Sequence, residues 1–527
     1  MREHTRTAPV AYASLEPWQR SIGEIFAESA ARQPEAVYVV DGGVRADRAT
    51  MARAAATVRD ALLAAGVRAG DVVSMQLSNT WCTIAAMHGA WAMGAVVNPI
   101  TTIYRGSELG AIFGSAAPAA VLVASTARGV DFVAQARDAV AAAGISAVVL
   151  DIDEILPAPP AAAGPLAEPA HPLAVSPVSP TDVALLMFTS GTTGTPKGVL
   201  HSHQTLLYEA ASIGEVFGLD GEAVFMPSPL AHVTGLLYGV LMPLLTHGSV
   251  SLLDRWDADV AADLIEHDGC AFTVAATPFL RGLSDSYARR GTPSSLRAFV
   301  CGGADIPPTL VAEAEQTMGL RVSRTYGSTE MPTLCIVRPD DAGPDRLTSE
   351  GHLIGEADAR LADDGELEVR GPELFVGYLD PRDDEPAFTN DGWFRTGDLA
   401  SITPDGLITI TGRRKDLIVR GGENISAKEV EDLLLTHEAI LDVAMIGVPD
   451  PLMGERACAV VVLRPGAELR LADLTAHLDR RSIARQKYPE LLWKVDAFPR
   501  TVSGKVQKFV LRQQAAAASA AGALERR

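Results

Sequence analysis

The chain has 527 residues, past the size at which one hydrophobic core stops growing, so at least two domains are expected. Apolar residues make up 47%, enough for a large core, while the formal charge of 45 − 65 = −20 argues against a nucleic-acid or anionic-membrane partner. Five cysteines without C-x-x-C spacing suggest neither a disulfide framework nor a zinc cluster and fit a reducing cytoplasm.

Met1 to Leu15 has no apolar h-region, so no secretory signal is expected. Up to about Ile155, helical and strand-like blocks alternate. Met51 to Ala65 and Thr83 to Met93 read as helices, and Val72 to Leu77 and Ala119 to Val123 as strands. Such alternation predicts a parallel sheet with helical crossovers. Pro157 to Pro180 is rich in Pro and Ala and reads as an exposed connector. Alternation resumes at Val183 and runs to about Met331. Within it, Val233 to Leu245 is the most apolar stretch, too short to span a bilayer. From Gly365 to Ile410 the pattern turns to short strands with Asp-Gly turns. After Arg413 a compact α/β block of roughly a hundred residues is large enough to be a domain. The terminal Glu525-Arg526-Arg527 is neither a prenylation box nor a peroxisomal signal.

The strand Val183 to Phe188 runs straight into Thr189-Ser190-Gly191-Thr192-Thr193-Gly194-Thr195-Pro196-Lys197-Gly198. Glycines let backbone N–H groups crowd an anion, hydroxyls donate further hydrogen bonds, and the lysine adds a point charge. That is chemistry for a polyphosphate. Gly198 stands where a Walker A loop has Ser or Thr, so the loop is of another kind.

This loop resembles the phosphate loop of the adenylate-forming superfamily, which includes acyl-CoA synthetases, adenylation domains and luciferases. Five further motifs of that family occur in order: Cys301-Gly302-Gly303-Ala304, Thr325-Tyr326-Gly327-Ser328-Thr329-Glu330, Gly392 to Asp398, Gly412 to Ile425, and Pro499 to Val506. The resemblance covers nearly the whole chain. The form GGENISAKEVED is most similar to ligases of short to medium fatty or cyclohexanecarboxylic acids. It implies an α/β fold: a large N-terminal adenylation domain over 1–414 with a small strand-rich subdomain, and a small mobile C-terminal α+β domain over 415–527. ATP, Mg2+ and coenzyme A are the implied cofactors.

Roles follow from the resemblance, residue by residue. Thr189, Ser190, Gly191, Thr192, Thr193 and Lys197 would hold phosphates. Gly302, Gly303, Ala304, Thr325, Tyr326 and Gly327 would hold adenine, with the Tyr326 ring offering a stacking face. Glu330 would ligate magnesium with Thr329 beside it. Asp398 and Arg413 would hold the ribose. Lys415 would be the hinge. Lys505 would bridge charge between the attacking carboxylate and phosphorus. Gly421 and Gly422 would line a pantetheine tunnel, since glycines admit a thin chain. Taken alone, each residue also has a plainer reading, such as a turn-capping aspartate or a core tyrosine.

No G-x-S-x-G elbow and no cysteine in a nucleophile motif offer a competing covalent route. His201-x-His203 lacks a third ligand at plausible spacing, so a metal pair is not expected. The segment Pro227 to Gly239 resembles the acyl-pocket segment. His232 and Val233 stand where amino-acid adenylation domains supply an aspartate, which disfavours an α-amino acid. Val233, Leu237, Gly327 and Met331, with Thr277, Phe279 and Leu280, would add pocket wall. The expected substrate is a monocarboxylic aliphatic or alicyclic acid, then an aryl acid. Three readings stand: a complete acyl-CoA synthetase in the cytoplasm, an enzyme keeping one half-reaction or loading an acyl carrier protein, and a non-catalytic binding protein. The last is disfavoured by intact Lys197, Glu330, Asp398, Arg413 and Lys505. A homodimer is carried as an expectation, with no membrane span.

Overall fold

The computed structural model describes residues 12–127, 129–157, 173–189, 196–303, 306–481, 483–500, 506–520 and 524–526. The expected α/β fold is present. Two mixed sheets form the large body among the described residues, one of nine strands and one of seven. In the seven-stranded sheet the fully buried strands Val72–Gln76, Val96–Pro99 and Ala120–Val123 pair in parallel, mostly apolar with the buried Ser74 hydroxyl donating to Asn98 Oδ1 at 2.8 Å. In the nine-stranded sheet Ala223–Met226, Cys270–Ala275, Ala298–Cys301 and Arg321–Tyr326 form the parallel run that ends at the adenine-side motifs.

Helix Trp81–Ala92 is apolar around nearly its whole circumference and correspondingly buried. Gly89 permits its tight crossing with helix Arg48–Ala64, because a Cβ there would lie 2.7 Å from the Ala55 carbonyl oxygen. The expected elements are recovered within a few residues; of the expected connector Pro157 to Pro180, residues 158–172 lie outside the described residues and 173–180 are irregular.

The Asp-Gly region folds as a four-stranded antiparallel sheet: Asp358–Leu361, Glu366–Arg370, Phe394–Ile402 and Ile408–Arg413. Beyond Lys415 the strands Ile418–Arg420, Glu423–Ile425, Ile440–Asp450, Gly454–Leu463, Leu491–Lys494 and Glu525–Arg526 form one further sheet. Helix Ala427–Leu434 packs on it, capped by Ser426, whose hydroxyl accepts from the Glu429 N–H. No helix among the described residues is long and apolar enough to cross a membrane.

Candidate active site

The phosphate-loop stem is an antiparallel hairpin, unlike the strand-to-helix loop of a Walker A site. Strand Val183–Thr189 pairs with Lys197–Ser202, with Thr189 opposite Lys197. The Thr189 hydroxyl donates to the Lys197 carbonyl at 3.5 Å. Ser190, Gly191, Thr192 and Thr193 lie outside the described residues. The Lys197 ammonium sits 3.0 Å from the Asp383 carboxylate and 4.8 Å from the centroid of the Tyr378 ring. The Tyr378 hydroxyl in turn donates to Glu330 Oε1 at 2.9 Å. Burial and the Glu330 charge push the Tyr378 phenol above its ordinary range. Lys197 and Glu330 are thus joined through one aromatic ring.

The Glu330 loop is pinned from behind. The His201 ring donates through Nε2 to the Thr329 carbonyl at 2.7 Å, which fixes its tautomer, since a carbonyl only accepts. His203 accepts from the Ile22 N–H at 3.2 Å, and burial lowers its pKa to about 4. Both imidazoles are occupied by hydrogen bonds. No cluster of three metal-ligating side chains occurs among the described residues.

The face expected to hold the nucleotide is closely built. A Cβ on Gly302 would approach the Thr325 methyl to 2.6 Å, and one on Gly327 would approach the Pro332 carbonyl oxygen to 1.8 Å. Gly303 has φ +78°, in the left-handed region that favours glycine. Thr325 donates to the Cys335 carbonyl at 2.8 Å. The Tyr326 hydroxyl donates to Asp398 Oδ2 at 2.6 Å, and Arg413 Nε lies 3.0 Å from Asp398 Oδ1. Asp398 and Arg413 are cross-strand partners of one hairpin, so local pairing alone brings them together. Ala304 lies outside the described residues.

The apolar segment forms helix Val233–Leu236, a π-helical turn Leu237–Leu241 and helix Met242–Leu245. His232 and Val233 are half-buried. Leu237 is buried in the main core, Met331 in the core of the strand-rich sheet and Leu280 in a third. Thr277 sits near the Cys301 thiol, while Phe279 packs edge-on against Trp256. Tyr238 donates to Glu209 at 2.5 Å and pairs with the Thr333 hydroxyl at 2.5 Å.

Beyond the nucleotide face the chain is anchored on both sides of Lys415. Arg414 reaches Asp364 and Glu366, each at 2.8 Å, while Arg512 reaches Asp416 at 3.0 Å. Gly421 and Gly422 have φ +58° and +86°, and the Gly421 N–H donates to the Met453 carbonyl at 2.8 Å. Lys505 lies outside the described residues.

Tyr378 and Asp383 belong to this constellation but escape the motif reading, and His201, weighed only as half of a metal pair, belongs to it as a support of the Glu330 loop. Gly377-Tyr378 directly after the apolar run Leu374-Phe375-Val376 was the available signal for the first. Asp383 carried none, because its partner is distant in sequence.

An α/β body presenting a glycine-rich hairpin, an Asp–Arg pair on an adjoining sheet and a separate terminal α/β unit defines the adenylate-forming class. Residues 26–379 match the AMP-binding enzyme family and residues 429–505 the AMP-binding enzyme C-terminal domain, and the chain belongs to this family. It is 33% identical to the medium-chain fatty-acid–CoA ligase of Escherichia coli over 94% of this chain and 90% of that one. It is 33% identical to the sulfoacetate–CoA ligase of Cupriavidus necator over 97% and 100%. The ATP-bound MatB structure from Rhodopseudomonas palustris superposes with a TM-score of 0.83 at 28% identity, covering 93% of this chain and 98% of that one. The protein is an AMP-forming acid–thiol ligase, and ATP, magnesium and coenzyme A are the cofactors of its class. The side chains present suit them: Glu330 is a hard oxygen ligand of the kind magnesium takes, and Lys197 offers a cation beside it for phosphates.

Proposed function

We propose that the enzyme activates a medium-chain aliphatic or alicyclic monocarboxylic acid as its acyl-adenylate and passes the acyl group to the thiol of coenzyme A. The observation that carries this reading is the join of Lys197, Tyr378 and Glu330 on one side and of Tyr326, Asp398 and Arg413 on the other. One side supplies a cation and a hard oxygen for phosphates, the other an aromatic face and a carboxylate–guanidinium pair for a nucleoside. Glu330 would hold the magnesium ion, which neutralises phosphate charge when bound.

In the first step a substrate carboxylate oxygen bonds to the α-phosphorus as the bond to pyrophosphate breaks and pyrophosphate leaves. Lys505 bridges the negative charge between them. In the second, the CoA sulfur bonds to the acyl carbon, AMP leaves with the carboxyl oxygen, and the thiol proton passes to solvent. Rotation about Lys415, the junction of 1–414 and 415–527, exchanges Lys505 for the Gly421-Gly422 loop between steps. The acid is assigned to the apolar class because the half-buried Val233 stands in the segment, with His232 in place of an ammonium-binding aspartate, whereas Leu237 packs into the core. All five cysteines are free thiols, in keeping with the cytoplasm.

The test is ATP–pyrophosphate exchange across straight-chain, alicyclic, aryl and sulfonated acids, followed by mass spectrometry of the thioesters formed with CoA or with a phosphopantetheinylated carrier protein. Exchange is expected to peak with apolar monocarboxylates, and CoA is expected to be the acceptor. A peak with sulfonated acids would overturn the substrate class, and acylation of the carrier alone would overturn the acceptor.

A further inference from the structure

Arg324 follows Ser323 on strand Arg321–Tyr326 and stands two residues before Tyr326. It is 3% exposed, and its carboxylate partner Glu350 is 6% exposed. The three guanidinium nitrogens together tie two segments, one at Ile306 and one at Ser349-Glu350. Nε donates to the Ser349 carbonyl at 2.8 Å, Nη1 donates to the Ile306 carbonyl, and Nη2 donates to Glu350 Oε1 at 2.7 Å. Glu350 passes the connection on, because its Oε2 accepts from the Ile410 N–H at 2.7 Å. Its own backbone N–H donates to the Ile408 carbonyl at 2.9 Å.

These segments are the parts of the nucleotide face. Ile306 stands four residues after Gly302 in the chain, and Arg324 itself lies opposite Cys301 in the parallel register. Ile408 and Ile410 belong to the strand that ends at Arg413, whose partner is Asp398. A planar guanidinium fork holds such a junction at fixed angles, which a lysine ammonium cannot do. A buried ion pair is also a poor way to gain stability, since hydrophobic replacement is often as stable. Its geometry therefore calls for a reason in positioning.

We propose that Arg324, through Glu350, is a positioning residue for the nucleotide: it sets the spacing between the adenine-side loop after Cys301 and the ribose-side hairpin that carries Asp398 and Arg413. This inference rests on the nucleotide assignment made above. It assigns Arg324 no contact with the substrates. It acts through the backbone carbonyls and N–H group it holds.

The test compares wild type with Arg324→Lys and Glu350→Gln in the full-length enzyme. AMP affinity is measured by calorimetry, KM for ATP and for the acid and kcat by pyrophosphate exchange, and folding by circular dichroism. Lysine keeps the charge beside Glu350 but loses the fork to Ile306 and Ser349. Glutamine is nearly isosteric and keeps an acceptor for Ile410, so it reads the same clamp if the lysine variant fails to fold. AMP binding is expected to weaken and KM for ATP to rise by roughly ten- to hundred-fold, the scale of a small misplacement in a preorganised site. KM for the acid and kcat at saturating ATP are expected to stay within about threefold. A variant that melts earlier yet keeps wild-type AMP affinity and KM for ATP would reduce Arg324 to a structural ion pair and overturn the proposal. Equal rises in both KM values would overturn it as well. If the wild-type enzyme itself bound no AMP, the nucleotide assignment would fall, and the clamp with it.

Discussion

Glu209 and Glu373 are buried carboxyls near the apolar segment, each only 2% exposed. Burial pushes Glu209 up from 4.5 to about 7, although hydrogen bonds from Tyr238 and Thr333 pull the other way. Burial pushes Glu373 well above its ordinary value, and the Glu209 charge adds to it. Between those limits the folded chain binds a proton that the unfolded chain releases. Stability from this source is therefore complete at acid pH and is lost as pH rises through about 7. The slope is at most about 1.4 kcal/mol per pH unit for each proton. Glu209→Gln removes the titrating group and one of the charges acting on Glu373. Denaturant midpoints measured between about pH 5 and pH 8 should fall less steeply in the variant than in wild type. Parallel curves would show that Glu209 does not titrate in that window.

Elements that repeat along the chain were legible before the fold. The buried strand Val183–Thr189 shows as an unbroken apolar run, and helix Trp81–Ala92 as a long apolar block. The Asp398–Arg413 pair was assigned by motif, and its geometry follows from one hairpin. What could not be read is what tertiary packing brings together: Asp383 beside Lys197, His201 behind Thr329, and Ile306 on Arg324. The antiparallel return of the phosphate loop also escaped a reading tuned to parallel crossovers. Gly327 belongs to the same class of long-range constraint. Its sequence shows only a glycine in a motif, whereas its surroundings leave a Cβ 1.8 Å from the Pro332 carbonyl oxygen and 2.8 Å from that of Met331. Both obstacles are backbone, so neither can rotate away. Gly327→Ala should cost about 3 kcal/mol, the upper end for overpacking, and should lower AMP affinity because the strand end carrying Tyr326 must move. A denaturant midpoint within error of wild type would refute this.

At the scale of the molecule, each buried apolar cluster among the described residues lies wholly on one side of Lys415. Residues 418–524 build two cores of their own, while the remaining clusters draw only on residues 18–410. Contacts across the junction include a polar one, the Ser426 hydroxyl donating to the Thr411 carbonyl at 2.7 Å. Units with separate cores keep their own stability when their neighbour is removed. A chain ending at Arg414 should therefore unfold cooperatively and still bind AMP, since Tyr326, Asp398 and Arg413 remain. It also loses Lys505, whose charge is proposed to meet the developing charge at phosphorus. Removing one such preorganised group lowers turnover by about 10²–10³-fold, so pyrophosphate exchange should drop by at least that factor while AMP affinity stays within a few-fold. Differential scanning calorimetry and exchange assays on the same preparation separate the two claims. Retained exchange would remove Lys505 from the reaction, and loss of the cooperative transition would show that the cores depend on each other.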